Sequence, residues 1–206
     1  MALLILLPII LITVTIHEVS HGWVAYLFGD NTAKNQGRLT FNPLAHIDFI
    51  GMVVVPLVLY FTIGIPFGWA KPVPVNPSML RKPKRDMMFV GAAGPISNLI
   101  MALLGIFILK SHIFSEFAIL MQVCLTFIYF NLAIASFNLI PIPPLDGSRV
   151  ILGLLSRSWA IAYSKIEPYG MFIIIALIYV GFVRTWIFFG ISFFMRLFGV
   201  GIEHGG

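Results

Sequence analysis

The stretch T13-V-T-I-H-E-V-S-H-G-W-V-A-Y-L-F28 decides how this chain is read. No charge stands between Met1 and Ile16, and then His17, Glu18 and His21 fall within five residues of a run that stays apolar. Ionisable side chains are costly at membrane depth, and there they mark a functional site by default. The first question is therefore whether a membrane is the right solvent.

Composition says that it is. Of 206 residues, 59% are hydrophobic and 10% are charged, with a mean hydropathy of +0.99. A soluble domain is about 45–50% apolar and about 25% charged, so this chain would have nowhere to place its apolar surface in water. The net charge of +5 lies in loops beside apolar runs rather than on a polar face. That distribution excludes nucleic acid as a partner and points to loops facing the cytoplasm beside a lipid bilayer. Cys124 is the only cysteine. It has no partner for an intramolecular disulfide, it excludes a zinc site built from cysteines, and it reads as a small apolar residue in its run.

The hydrophobic segments fall in order along the chain. Leu3 to Phe28 is the first, and it lacks the basic leader of a removable signal peptide, so it reads as a retained helix. Ile47 to Ile65 is the second, interrupted by Pro56 and Gly64. Met87 to Leu109 and Phe117 to Leu139 follow, then a short piece from Val150 to Leu155. Tyr169 to Val183 begins the last, which Arg184 divides from the stretch up to Phe198. About 20 apolar residues cross a hydrocarbon core. The expected fold is an all-α polytopic membrane protein, a single domain over residues 1–206 with about five to six membrane segments. Between the second and third runs, A70-K-P-V-P-V-N-P-S-M-L-R-K-P-K-R-D86 carries five cations, one acid and four prolines. It is expected to be extended, with short strands near the site.

His17 and His21 stand at i and i+4, on one face of a helix and about 6 Å apart along its axis. Two imidazoles so placed can reach one metal ion with Zn–N bonds of about 2.0–2.1 Å. Glu18 stands one position round, free to act as a base on water. This is the H-E-x-x-H arrangement of zinc peptidases. Five letters alone are weak, but three unpaired polar groups in hydrocarbon would each be costly, so a chance match inside a membrane helix is rare. A buried polar cluster serving helix packing is the bland alternative.

A catalytic zinc takes a third protein ligand. The remaining histidines are His46, His112 and His204, and the remaining acids are Asp30, Asp48, Asp86, Glu116, Asp146, Glu167 and Glu203. Tail, loop and cation-paired positions leave His46 with Asp48, or Asp146. Asp146 is the better candidate, because three prolines stop the preceding helix and hold a carboxylate among apolar residues.

Three motifs now stand in order: H17-E-V-S-H21, A93-G-P-I-S-N98 and N138-L-I-P-I-P-P-L-D-G147. From Thr13 to Val150 the chain resembles the site-2 protease family of intramembrane zinc metalloproteases, in its compact form without a PDZ or CBS domain. The resemblance implies one Zn2+ held by His17, His21 and Asp146, with Glu18 activating the zinc-bound water. It implies a substrate or oxyanion role for Asn138, and a structural or substrate-positioning role for Gly94 and Asn98. Ser20 stands where many members have glycine, one small residue for another.

A site at membrane depth implies a transmembrane substrate. A helix hides its own carbonyls, so the substrate must be locally unwound before attack. The segment from Trp69 to Val75 offers two readings: a strand edge for the unwound substrate, or a rigid Pro-rich connector. Two other functions compete with proteolysis. A zinc or proton transporter would spread its polar groups along a path, and an inert scaffold would have lost Glu18 or a ligand.

Depth sets the expected topology. His17 lies 14 residues after Leu3, about 21 Å along the helix, two-thirds of the way through a core of about 30 Å. If the basic loop from Lys71 to Arg85 is cytoplasmic, Asp146 lies near the cytoplasmic side of the cell membrane. It matches His17 in depth only when the first helix runs inward from an external N-terminus. Both flanks of Ile47 to Ile65 are then cytoplasmic, so that run is expected to re-enter the membrane, bending near Pro56 and gating the site.

Overall fold

The computed structural model describes residues 2–64, 68–111, 113–114 and 116–200. The ligand candidates His112, Glu203 and His204, and Ile65 at the end of the second apolar run, lie outside the described residues.

The chain is built of α1 (Ala2–Leu27), α2 (Thr32–Asn35), α3 (Val55–Ile63), α4 (Pro83–Lys110), α5 (Ala118–Asn138), α6 (Asp146–Leu154), α7 (Arg157–Ser164), α8 (Gly170–Tyr179) and α9 (Phe182–Leu197). Four stretches have the length and hydropathy to cross a bilayer: Ile5–Leu27, Pro83–Lys110, Ala118–Asn138 and Arg157–Tyr179. At 1.5 Å per residue, α1, α4 and α5 are about 39, 42 and 32 Å long, each longer than a core of about 30 Å. The fourth stretch is not one straight helix, because a 3-10 turn at Glu167–Tyr169 separates α7 from α8. Gly181, at a φ of 80°, turns the chain into α9. The last apolar run therefore breaks at Gly181 rather than at Arg184. The five to six segments expected from the sequence include the second run and the last helix, and both fall short of the roughly 20 residues of a simple crossing.

α4 is central, packed against α1, α5 and α6. Small residues permit this, as they do between membrane helices generally. A Cβ on Gly91 would stand 2.7 Å from Arg149 Cβ in α6, and one on Gly105 would stand 2.7 Å from Ile128 Cγ1 in α5. Ala102 and Ile106 of α4, Ile128 and Leu132 of α5 and Met195 of α9 form one buried cluster. Ile140, Leu145, Ile174 and Val183 form a second beneath the Pro-rich turn. Leu7, Ile12, Leu104, Phe107 and Phe189 are exposed on outer helix faces, where hydrocarbon is the solvent.

The end of α1, the start of α4 and the end of α5 share one end of the bundle. Arg81 N–H donates to Phe28 O at 3.2 Å, Lys84 Nζ donates to Leu155 O, and α6 begins against Gly91. The basic residues from Lys71 to Arg85 are gathered at that end.

The second apolar run is helical through Pro56. A π-helical turn at Ile50–Val54 leads directly into α3. In that wider register the partner of Gly51 O would be the N–H of residue 56, which proline lacks. Trp69 N–H takes the carbonyl instead, at 3.0 Å. Gly68 lies against the same carbonyl and the Pro56 ring, where a Cβ would stand 2.2 and 2.6 Å away. The chain that leaves at Gly51 is thus back beside Gly51 seventeen residues later.

From there residues 69–75 run extended, though no strand occurs among the described residues. Trp69, Lys71 and Val73 donate in turn to Gly51 O, His46 O and Glu18 Oε2. Alternate residues of an extended chain face opposite ways, and two of the alternate positions are Pro72 and Pro74, which have no N–H to add to a ladder. Asp30 is fully buried and accepts from Thr32 N–H at 2.9 Å and Asn76 N–H at 2.6 Å, tying this segment to the end of α1.

Candidate metal centre

Three elements bring three ligand atoms together. α1 supplies both imidazoles from one face, and the Pro-rich turn places Asp146 in the first turn of α6. His17 Nε2 lies 3.1 Å from Asp146 Oδ2 and 3.1 Å from His21 Nε2, and His21 Nε2 lies 3.2 Å from Asp146 Oδ2. All three residues are buried. A Cβ on Gly147 would stand 2.4 Å from Leu139 O, so glycine lets α6 start hard against the end of α5.

The protons of both imidazoles are engaged elsewhere. His21 Nδ1 lies 2.6 Å from Val90 O. A carbonyl only accepts, so Nδ1 carries the hydrogen, and in the neutral ring Nε2 presents its lone pair. His17 Nδ1 lies 2.6 Å from Asn98 Oδ1, which fixes the same tautomer. With both rings neutral, two lone pairs and a carboxylate oxygen face one another at about hydrogen-bond distance. That arrangement is repulsive unless a cation joins it. A tetrahedral ion with bonds of about 2.0–2.1 Å has ligand-to-ligand edges of about 3.3 Å, and the observed triangle fits. The partners at Nδ1 are those expected to orient metal-binding histidines.

Gly94 and Asn98 face this triangle from α4. A Cβ on Gly94 would stand 2.5 Å from His17 Cε1, His17 Nε2 and His21 Nε2. Asn98 has no exposed surface and accepts from His17 directly. Glu18 stands outside the triangle, half-buried, and its Oε2 accepts from Val73 N–H at 2.8 Å. Asn138 turns back on its own helix, donating to Ile134 O at 3.0 Å.

The other ligand candidates are occupied away from the centre. His46 Nε2 donates to Thr40 O at 2.9 Å, and Asp48 Oδ1 accepts from Gly51 N–H at 3.0 Å. Asp86 pairs with Arg85 at 2.8 Å. Among the described residues, His17, His21 and Asp146 are the only group of three such side chains able to share an ion. Sequence reasoning passed over Val90, Asn131 and Thr13. Val90 acts through its carbonyl and leaves no residue signal. Asn131, an amide in the middle of an apolar run, is the kind of residue that intramembrane polarity should have flagged.

Comparison with known proteins agrees with this chemistry. The model of Peptidase family M50 matches residues 108–181, which include Asn138 and Asp146 but not the histidine helix. The chain is 39% identical to "Putative zinc metalloprotease YwhC" of Bacillus subtilis, over 84% of this chain and 80% of the relative. It is 25% identical to "Putative zinc metalloprotease Rip2" of Mycolicibacterium smegmatis, over 92% of this chain and 72% of the relative. It is 24% identical to the Mycobacterium tuberculosis protein of the same name, over 90% and 70%. No solved structure matches the chain significantly. With a relative this similar aligned along most of both chains, the protein belongs to peptidase family M50, the site-2 protease family of membrane zinc metalloproteases.

Proposed function

We propose that this chain is an intramembrane zinc endopeptidase that cuts peptide bonds within or near transmembrane helices. One observation carries the proposal: three buried ligand atoms, two imidazole nitrogens and a carboxylate oxygen, stand 3.1–3.2 Å apart among membrane-crossing helices, with a glutamate beside them. His17, His21 and Asp146 would hold one zinc ion per chain. When bound, the ion supplies Lewis acidity toward the scissile carbonyl and lowers the pKa of water to about 7.

Glu18 takes the proton from the attacking water and passes it to the leaving amine, a general base and then a general acid. Val73 N–H steadies its carboxylate while the base waits. Gly94 leaves room for both imidazoles, and Asn98 keeps the His17 lone pair directed inward. Asn138 lies at the end of α5, eight residues before Asp146, and is assigned to the substrate carbonyl. Residues 69–75 cover Glu18 and would meet the unwound substrate there. A transporter is disfavoured, because the polar groups converge on one point instead of marking a path.

The whole chain acts as one membrane domain, with the core motifs in residues 13–150 and the C-terminal segments in 168–198. Its catalytic end, which gathers the cations, faces the cytoplasm. The second run re-enters the membrane, a reading supported by Gly68 and Trp69, just beyond the run, lying back against Gly51 near its start. Glu18→Gln tests the assignment. The variant should retain stoichiometric zinc and lose cleavage of a single-span substrate in vesicles. Undiminished cleavage at equal zinc content would remove Glu18 from the mechanism.

A further inference from the structure

The hydrogen bonds behind His17 do not stop at Asn98. Asn98 Nδ2 donates to Asn131 Oδ1 at 3.0 Å, and Asn131 Nδ2 donates to Phe127 O at 2.9 Å and to Thr13 Oγ1 at 3.2 Å. Asn98, Asn131 and Thr13 have no exposed surface. Thr13 stands one turn before His17 on the same helix, so the bonds close a ring through α1, α4 and α5.

We infer that Asn131 is a positioning residue for the metal ligand His17, acting through Asn98; the inference deepens the zinc-site reading proposed above. The argument starts at a group that cannot be reversed. Phe127 O can only accept, so it holds the Asn131 amide with nitrogen toward itself and oxygen toward Asn98. That oxygen can only accept, so it draws the Asn98 nitrogen and leaves Asn98 Oδ1 facing His17. Asn98 Oδ1 in turn can only accept, so the His17 hydrogen sits on Nδ1 and the Nε2 lone pair points to the metal position. Without Asn131, either end of the Asn98 amide could face His17. In the reversed orientation an N–H would oppose the Nδ1 hydrogen. A polar pair kept in an apolar interior is expensive unless fully satisfied, and here each amide is satisfied in one orientation only.

Asn131→Leu, which keeps the branched outline with methyls in place of the amide oxygen and nitrogen, removes the constraint. His21 supplies an internal control, since its Nδ1 bonds to Val90 O and does not involve Asn131. In full-length chain with 15N-labelled histidine, of which there are five, the His17 Nδ1–H signal should move upfield and exchange faster in Asn131→Leu. The His21 signal should stay in place. Zinc affinity, measured against a competing chelator, should fall about 10-fold, the lower end for an outer-shell partner. In an Asn98→Ala background, Asn131→Leu should cause no further loss, because the two act in series. Unchanged affinity, equal movement of both histidine signals, or additive losses would each overturn the inference. Thr13→Val is the second variant should Asn131→Leu not fold. It removes one of the two bonds that orient the Asn131 nitrogen and should shift only the His17 signal; no shift would count against the proposal. If wild-type chain binds no zinc, the zinc reading fails, whereas the histidine signals still test the hydrogen-bond ring.

Discussion

Gly94→Ala is the most direct test of the ligand triangle, because its effect can be worked out atom by atom. The new methyl would stand 2.5 Å from His17 Cε1, His17 Nε2 and His21 Nε2 at once. Carbon contacts relax to about 3.5–4.0 Å, so one or both imidazoles must retreat by about 1 Å. Metal–ligand distances hold within about 0.2 Å of ideal, and the displacement is several times that tolerance. Zinc affinity should fall at least about 100-fold, equivalent to about 2.8 kcal/mol.

The helix itself should not suffer. Gly94 lies inside α4, where alanine is favoured over glycine by up to about 1 kcal/mol. Chelator competition reads the affinity, and circular dichroism on the same sample reads the helix. Gly105→Ala is the control. It also sits in α4 and crowds a neighbour, Ile128 Cγ1 at 2.7 Å, yet it lies three turns from the histidines and should leave zinc affinity unchanged. Wild-type affinity in Gly94→Ala would mean that the imidazoles do not bind metal where they are seen, and the triangle would lose its meaning.

Asp146→Asn should weaken zinc binding, since an amide oxygen is a poorer ligand than a carboxylate, whereas His46→Ala should leave metal content unchanged; the reverse result in metal analysis would move the third ligand to His46. Asn98→Ala should lower zinc affinity about 10–100-fold by removing the acceptor for His17 Nδ1–H, with helicity retained; unchanged affinity would deny Asn98 that role. In a Cys124→Ser background, single cysteines at Asn35 and Ser78 should react with an impermeant maleimide from the same side of the membrane. Labelling from opposite sides would make the second run a crossing.

What the sequence disclosed and what it concealed divide along a physical line. His17 and His21 could be read because the helix repeat alone puts i and i+4 on one face. Asp146 could be read because its neighbours carry the break, three prolines and a glycine. Asn98 could be located by its motif, yet its role could not, because its partner His17 is 81 residues away and the contact depends on how α4 packs on α1. The Val90 carbonyl is a backbone atom and has no signature. Asp30 looked like a loop acid, and only the fold reveals two backbone donors closing on it in the interior.

The second apolar run shows the same limit from the other side. Pro56 was expected to bend it, since a proline in an apolar run usually ends the helix. The helix does not end there, because the preceding π-helical turn leaves a carbonyl that Pro56 could not have served, and Trp69 serves it from outside. The proline thus marks the place where the returning chain docks. Docking there carries residues 69–75 on to Glu18, so the base of the proposed reaction is held by a chain whose path Pro56 helps to set. A donor-competent residue at position 56 would compete with Trp69 for Gly51 O. Pro56→Ala should therefore loosen the segment over Glu18, read as faster hydrogen exchange at Val73 with zinc content unchanged. Unaltered exchange at Val73 would disconnect the second run from the site.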